Sequence, residues 1–420
     1  MFARMRQAAW LQHRIPAFAR FLWQRFDEVN VPQVSASLTF TTLLALVPLF
    51  TVTLVVITAF PMFGDISEQF NRFITGVLIP AAGADVVGDY LLEFRRQASN
   101  LTAIGIIIMM VTSLMLIQTI ERTFNQIWRV NRQRPLLMRV LVYWTLLTLG
   151  PLVIGFGMSA WSLLLKNSAL QQNFPLLGVL VTSVSSAAFI TLLLFFVYKI
   201  VPFRYVPARH ALIGALVTAL LLEAVRRGFT VYVANFNSYQ LIYGAFAAIP
   251  VFLLWLNLLW MILIAGAVLT ASLSYWQDEA FRRSTGHNGR FDDVLTILLL
   301  LDQAQARGRS LKIQHFRAHI NMGYDELGDL LEQLARHGYL AHSHNGWILK
   351  TNTRHINVAE LFKLFVYRPQ AHGDDNIGRT LADIMEPNLA ALDMSLADFM
   401  ARENGIPDTR EHAPTQTNTG

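Results

Sequence analysis

Residues Ala36–Phe60 read ASLTFTTLLALVPLFTVTLVVITAF, twenty-five positions without a charged side chain. A helix needs about 20 apolar residues to cross a hydrocarbon core of roughly 30 Å. A run of this length and purity therefore predicts a membrane-spanning helix, with Pro48 as a kink. The rest of the chain repeats the pattern. Hydrophobic residues make up 54% of 420 positions and charged residues 15%, against about 25% charged in ordinary soluble domains. Mean hydropathy is +0.40. The apolar runs are concentrated between residues 30 and 275, whereas 276–420 read as soluble protein with a polar end.

Working outward from the first run, the second predicted span is Leu101 to Ile120. The third is Val140 to Leu165, loosened by Gly150, Pro151, Gly155 and Gly157. The fourth, Leu176 to Tyr198, has Thr182, Ser183, Ser185 and Ser186 on its first half. Small hydroxyl residues in such a helix serve close helix packing. Ala211 to Ala234 is long enough to span but contains Glu223, Arg226 and Arg227. From Phe229 to Gln277 no charge occurs. We read that stretch as the end of span five, a polar turn at Asn235, a short re-entrant or interfacial segment from Gln240 to Ile249, and a sixth span from Pro250 to Ser274. The expected fold class is an all-α polytopic membrane protein with six transmembrane helices.

Six spans put both termini on one side. Thirteen arginines and lysines lie in the N-terminal flank, the loop Glu121–Arg139 and the loop Lys199–His210. Four lie in the loops Pro61–Asn100 and Lys166–Pro175. Basic residues are retained on the cytoplasmic side, so both termini are expected in the cytoplasm of a bacterial inner membrane. The net charge of +6 is explained by this placement, without nucleic acid. No cleavable signal peptide is expected, because Arg4, Arg6, Arg14, Arg20 and Arg25 interrupt the first 35 residues. Phe18, Phe21, Leu22, Trp23 and Phe26 interleave with Arg20, Gln24 and Arg25 at helical spacing. Two readings fit: an amphipathic helix on the membrane surface, or a basic flank without defined structure.

Glu223 stands three and four positions before Arg226 and Arg227, so the three can pair on one helix face. A charge near the bilayer centre costs about 2.5–3.5 kcal/mol, and each Leu, Ile or Val returns roughly 0.3–0.6. The cluster is therefore expected to face the bundle or a wet cavity. It is the candidate intramembrane site, either a gate or an anionic-headgroup site. Two structural alternatives stand beside it: an ion pair locking the bundle, or arginines snorkelling outward where Gly228 ends the helix.

Three stretches resemble the YihY/BrkB family of bacterial inner-membrane proteins. Ala36-Ser-Leu-Thr-Phe-Thr-Thr-Leu-Leu-Ala-Leu-Val-Pro-Leu49 resembles its first span, Phe124-Asn-Gln-Ile-Trp-Arg129 its basic loop, and Tyr243-Gly-Ala-Phe-Ala-Ala-Ile-Pro-Val-Phe-Leu-Leu-Trp255 its last-span entry. The resemblance covers about residues 30–275. It implies an inner-membrane location more firmly than an activity. Members have been labelled ribonuclease BN or linked to serum resistance or envelope lipid handling. Family members often carry a glutamate after Gly-Ala near the end of the last span. This chain has Gly266-Ala267-Val268, which argues against an ion-coupling role there.

A metal-dependent nuclease needs clustered carboxylates or histidines. His342-Ser-His344 lacks the further ligands of a metallo-β-lactamase-type site. His315 and His319 have zincin spacing, but Phe316 stands where the glutamate would be. Cysteine is absent. No catalytic, metal or cofactor site is expected, and a nuclease reading is disfavoured.

Beyond the membrane region, Phe291–Arg307, Leu311–Ile320 and Tyr324–His337 are helical patterns. Tyr339–Leu349 alternates around Asn345-Gly346, a hairpin signal, and Val358–Tyr367 is a final helix. Three helices and a hairpin resemble a winged-helix domain, set at 285–370. Its third helix carries Asp325, Glu326, Asp329 and Glu332 against Arg336, which repels phosphate, so docking to a protein partner is favoured over DNA. Residues 371–420 are expected to be polar, with short amphipathic helices over Ile377–Ala401 broken at Pro387, and disordered from Glu403. Two functions fit the whole: a transporter or flippase-like component for an amphiphilic or anionic envelope molecule, or a membrane scaffold recruiting partners through its soluble domain. Membrane lipids are the expected partners, and no nucleic acid is.

Overall fold

A computed structural model describes residues 2–58, 103–130, 134–135, 137–145, 175–235, 248–276, 290–367 and 376–403. The chain divides into two units, Met1–Ser274 and Tyr275–Gly420.

The first unit is all helical. Helix α1 runs Phe2–Glu28, so the N-terminal segment is a helix rather than an unstructured flank, with Trp23 and Ile15 exposed. Asn30 turns the chain at φ 55°, a left-handed position that asparagine tolerates. Helix α2, Val31–Thr58, follows at once, starting five residues before the apolar run of span one. Helix α3 is Ala103–Ile127, α4 covers 137–145, α5 is Pro175–Ile200, α6 is Ala208–Asn235 and α7 is Ala248–Trp276. The expected loop Glu121–Arg139 is corrected at its start, because Glu121 and Arg122 lie inside α3. The helix outlasts the apolar run and ends at Ile127. Arg129, at φ 51°, closes that helix in the left-handed conformation common at helix C-termini.

Gly228 does not end a helix. Helix α6 continues seven residues past it to Asn235, which removes the termination on which the snorkelling alternative was built. Among the described residues, two helices are long and apolar enough to cross a membrane, Ala208–Asn235 and Ile249–Trp276. The expectation of six is thus met in part. Most of span three, the loop Pro61–Asn100 and the re-entrant segment before Ala248 lie outside the described residues.

Glycine and threonine set the distance between α6 and α7. A Cβ on Gly214 would stand 1.8 Å from Thr270 Oγ1, and one on Gly266 1.9 Å from Thr218 Oγ1. Each helix thus offers a glycine to the other's threonine, the small-residue packing of membrane helices. Each hydroxyl is satisfied one turn back on its own helix, Thr218 to the Gly214 carbonyl at 2.7 Å and Thr270 to the Gly266 carbonyl at 2.8 Å. Tyr198 on α5 joins the pair, donating to the Leu263 carbonyl at 2.9 Å and lying 3.1 Å from Thr218 Oγ1. Trp260 Nε1 donates to Thr42 of α2 at 3.0 Å. Val31, Leu38, Phe124, Trp128, Ala211, Ala215, Ile264 and Val268 are buried in the same core.

The second unit contains α8 Arg290–Ala306, α9 Ile313–His319, α10 Tyr324–Arg336, strands β1 Leu340–Ser343 and β2 Gly346–Leu349, and α11 Val358–Phe365. The strands pair antiparallel with Ser343 opposite Gly346, so the turn residues are His344 and Asn345, one position earlier than the Asn-Gly signal suggests. Gly346 is needed for another contact. Leu311 and Trp347 exchange hydrogen bonds of 3.0 and 2.8 Å, and a Cβ on Gly346 would stand 2.5 Å from the Leu311 carbonyl oxygen. Val294, Ile297, Leu298, Leu301, Phe316, Leu327, Leu331 and Leu361 form the core. The unit extends past residue 370. Helices α12 Asn376–Ala391 and α13 Leu396–Glu403 follow, Leu396 is fully buried in that core, and α12 continues through Pro387. Ser395 Oγ caps α13 by accepting from the Asp398 amide at 3.1 Å and donates to the Asp398 carboxylate at 2.8 Å. Burial and the nearby Glu360 carboxylate push the Tyr339 phenol above its ordinary value, so it stays protonated.

Candidate functional site

The three charged residues of α6 do come together. Arg226 offers Nε and Nη2 to the two oxygens of Glu223 at 2.9 and 3.0 Å, a bidentate pair. Arg227 Nε donates to Glu223 Oε1 at 2.7 Å. The i,i+3 and i,i+4 spacings bring this about on an unbroken helix. The side chains are not interior, however. Exposures are 35% for Glu223, 43% for Arg226 and 73% for Arg227, so of the two expected surroundings, bundle or wet cavity, the packed bundle does not describe this geometry. One carboxylate against two guanidiniums leaves one positive charge in surplus, and nothing else described bonds the two terminal nitrogens of Arg227. Such an arrangement can bind a phosphate or a carboxylate. Phe229, two residues on, packs on Trp255 of α7 at 5.1 Å between ring centroids, which fixes this stretch of α6 against its neighbour.

A second polar cluster was missed by reading spans and loops. Glu121, near the end of α3, pairs with Arg134 at 3.6 Å, with exposures of 7% and 11%. Arg134 Nη2 also donates to the carbonyls of Ile200 and Val201 at 3.2 and 3.3 Å, closing the C-terminus of α5 as cations do. Its guanidinium lies 5.3 Å from the Phe203 ring centroid. Asn125 donates to Glu121 at 3.4 Å and accepts from the Phe203 amide at 3.0 Å. Close by, Lys199 donates to the Val206 carbonyl. Around the α1–α2 turn, Glu28 accepts from Arg25 at 3.4 Å and Arg129 at 3.3 Å, and Arg25 reaches the Ile127 carbonyl at 3.4 Å. These groups bond one another and the carbonyls at helix ends, which clamps those ends. The sequence signal that could have found them is the Glu121/Asn125 pair at i,i+4.

Each family-like motif places a few large side chains in the core and leaves others, such as Phe40, Leu44 and Leu254, exposed. Phe124 stacks on Trp128 at 5.9 Å and tilts against Tyr198 at 6.2 Å. Leu38 and Trp255 are buried, and so is Val268, where a glutamate would have no room for water. Among the described residues no group of three or more metal-ligating side chains gathers. His319 Nδ1 lies 2.9 Å from the His315 carbonyl of its own helix, and His342 packs edge-on against Trp347.

Fold and site together define an all-helical membrane-associated protein with a small C-terminal helix-and-hairpin unit. Residues 22–289 match the family model described as virulence factor BrkB. A UPF0761 membrane protein of Neisseria meningitidis serogroup B is 54% identical over 390 residues, covering 93% of this chain and 96% of its own. One from Chromobacterium violaceum is 47% identical over 389 residues, covering 92% and 93%. One from Bordetella petrii is 39% identical over 385 residues, covering 89% and 84%. No solved structure matches. The chain belongs to the YihY/BrkB (UPF0761) family of membrane proteins.

Proposed function

We propose that this protein crosses the bacterial inner membrane six times with both termini cytoplasmic, and that it handles an anionic, amphiphilic envelope molecule as a transporter or flippase-like component. Helices stand at five of the six expected positions, at Val31–Thr58, Ala103–Ile127, Pro175–Ile200, Ala208–Asn235 and Ala248–Trp276. The thirteen-to-four bias of basic residues sets the orientation. Reporter fusions check it: Gln172 and Ser238 should report periplasm, Arg132 and Pro207 cytoplasm, and reversal at any two of them sinks the topology.

The observation that carries the functional reading is the surplus guanidinium on a membrane-length helix. By rise per residue, Arg226 and Arg227 lie about 27–28 Å from the start of α6, past the midplane on the periplasmic side. A cation there, held in place by Glu223 and presenting unused donors, suits phosphate or carboxylate. Arg226→Ala and Arg227→Ala should leave membrane abundance near wild type and fail to restore envelope function in a deletion strain. Glu223→Ala should lower abundance, since it releases two adjacent cations. Arginine variants with full complementation would remove the reading, and variants that vanish from the membrane would make the cluster structural. No catalytic step belongs to this proposal.

A scaffold role is the second reading, favoured by the folded C-terminal unit. Its helix order, the hairpin and the Leu311–Trp347 bridge support a winged-helix-like architecture. Glu326, Asp329 and Glu332 on α10 suit a basic protein surface rather than nucleic acid.

A further inference from the structure

The outward face of α6 carries more than the ion triad. Leu212, Leu216, Leu220 and Val231 are all exposed. At about 100° per residue these four fall within a stripe roughly 100° wide, and Glu223 and Arg227 fall inside the same stripe. The cluster therefore interrupts an apolar surface of the kind that meets acyl chains. A water-filled transport path would be expected to gather polar side chains around the arginines. Here the exposed neighbours along the helix face are Leu220 one way and Thr230 and Val231 the other, and the Thr230 hydroxyl is turned back to the Arg226 carbonyl at 2.9 Å.

Depth supports the same conclusion. Helix α6 is 28 residues long, about 42 Å at 1.5 Å per residue, and a hydrocarbon core of roughly 30 Å leaves about 6 Å at each end. Arg227 then sits about 6 Å inside the boundary nearer Asn235, within reach of the phosphate plane for a side chain with a long flexible stem. Glu223 occupies its Nε. The fork of two terminal nitrogens remains, the part of a guanidinium that engages phosphate in parallel hydrogen bonds.

We infer that Arg227, seconded by Arg226, holds the phosphate of a bilayer lipid that arrives sideways from the membrane, its chains lying along Leu216 and Leu220. The ligand is a phosphate-bearing amphiphile with net negative charge, entering laterally from the leaflet at the Asn235 end. This rests on the membrane-spanning, anion-handling reading above and narrows it to lipid.

The test is native mass spectrometry of the full-length protein in detergent with equal amounts of phosphatidylglycerol and phosphatidylcholine. Wild type should retain phosphatidylglycerol about fivefold in preference, the scale of one basic residue at an anionic membrane surface. Arg227→Gln should bring the preference to about onefold, and Arg227→Lys, which keeps the charge and loses the fork, should fall between. A large excess of inorganic phosphate should not displace the lipid. Full preference in both variants would overturn the site, and displacement by inorganic phosphate would reassign it to a soluble anion. Lost preference with intact envelope function would keep the lipid site and remove the transport reading. Intact preference with lost function would do the reverse.

Discussion

Gly266→Leu should strip the protein from the membrane fraction, leaving a fifth or less of the wild-type amount by quantitative immunoblot. A mere Cβ at this position would stand 1.9 Å from Thr218 Oγ1 and 2.5 Å from the Tyr198 hydroxyl, distances no real side chain tolerates. Neither neighbour can yield easily. Thr218 is β-branched and its hydroxyl is held by the Gly214 carbonyl, and Tyr198 is fully buried with a bond to Leu263. Overpacking of a well-filled core costs about 1–3 kcal/mol and sometimes more, and a leucine here must push α6 and α7 apart along their length. Gly214→Leu should behave alike through Thr270. Two controls make the result specific. Gly266→Ala with Thr218→Ala should recover much of what Gly266→Ala alone loses. Gly228→Ala should be harmless or mildly stabilising, because nothing lies within 4 Å of its Cβ and alanine is the better helix former by about 1 kcal/mol. Wild-type abundance of Gly266→Leu would refute the close approach of the two helices.

How much of this was legible in the chain depends on whether a feature is local. The apolar runs mark five of the helices, with ends displaced by up to seven residues, because a long apolar run forms its helix from its own residues. The Glu223 triad was legible because its partners are one turn apart. Its direction was not, because a charge pattern does not say which face of a helix is covered. Gly214/Thr218 and Gly266/Thr270 each repeat a four-residue spacing that can be read on either helix, yet their interlocking depends on the register between helices. Arg134 reads in sequence only as loop charge, since Glu121, Ile200 and Phe203 stand 13, 66 and 69 positions away. Charge also misleads at the end of α3, where Glu121 and Arg122 read as loop although the helix runs on to Ile127. In the second unit the Asn345-Gly346 pair marked the hairpin but not its register. Leu396 joins the core from a segment whose composition alone reads as tail.

Arg134→Ala should lower thermal stability of the detergent-solubilised protein more than any other single charge removal among the described residues. The pair it forms with Glu121 is buried on both sides. Breaking a buried pair from one side costs about 3–5 kcal/mol, because the remaining charge loses its partner without regaining water. The arginine also holds the last carbonyls of α5 and covers the Phe203 ring, so the loss exceeds one ion pair. Arg134→Lys should recover only part, since an ammonium lacks the fork that serves Glu121 and two carbonyls together. Glu121→Leu alone should be severe as well, stranding Arg134 and removing the acceptor of Asn125. The double variant Glu121→Leu/Arg134→Leu should be less destabilised than the sum of the single changes, because no uncompensated charge remains. Strict additivity across that cycle would show that the two side chains do not share a dry environment, and α3 and α5 would then be held at this end by the Phe124–Tyr198 ring contact and the Asn125–Phe203 bond instead. The surface pair Arg129–Glu28 offers the contrast. It is half exposed, and Arg129→Ala should change stability by no more than about 1 kcal/mol.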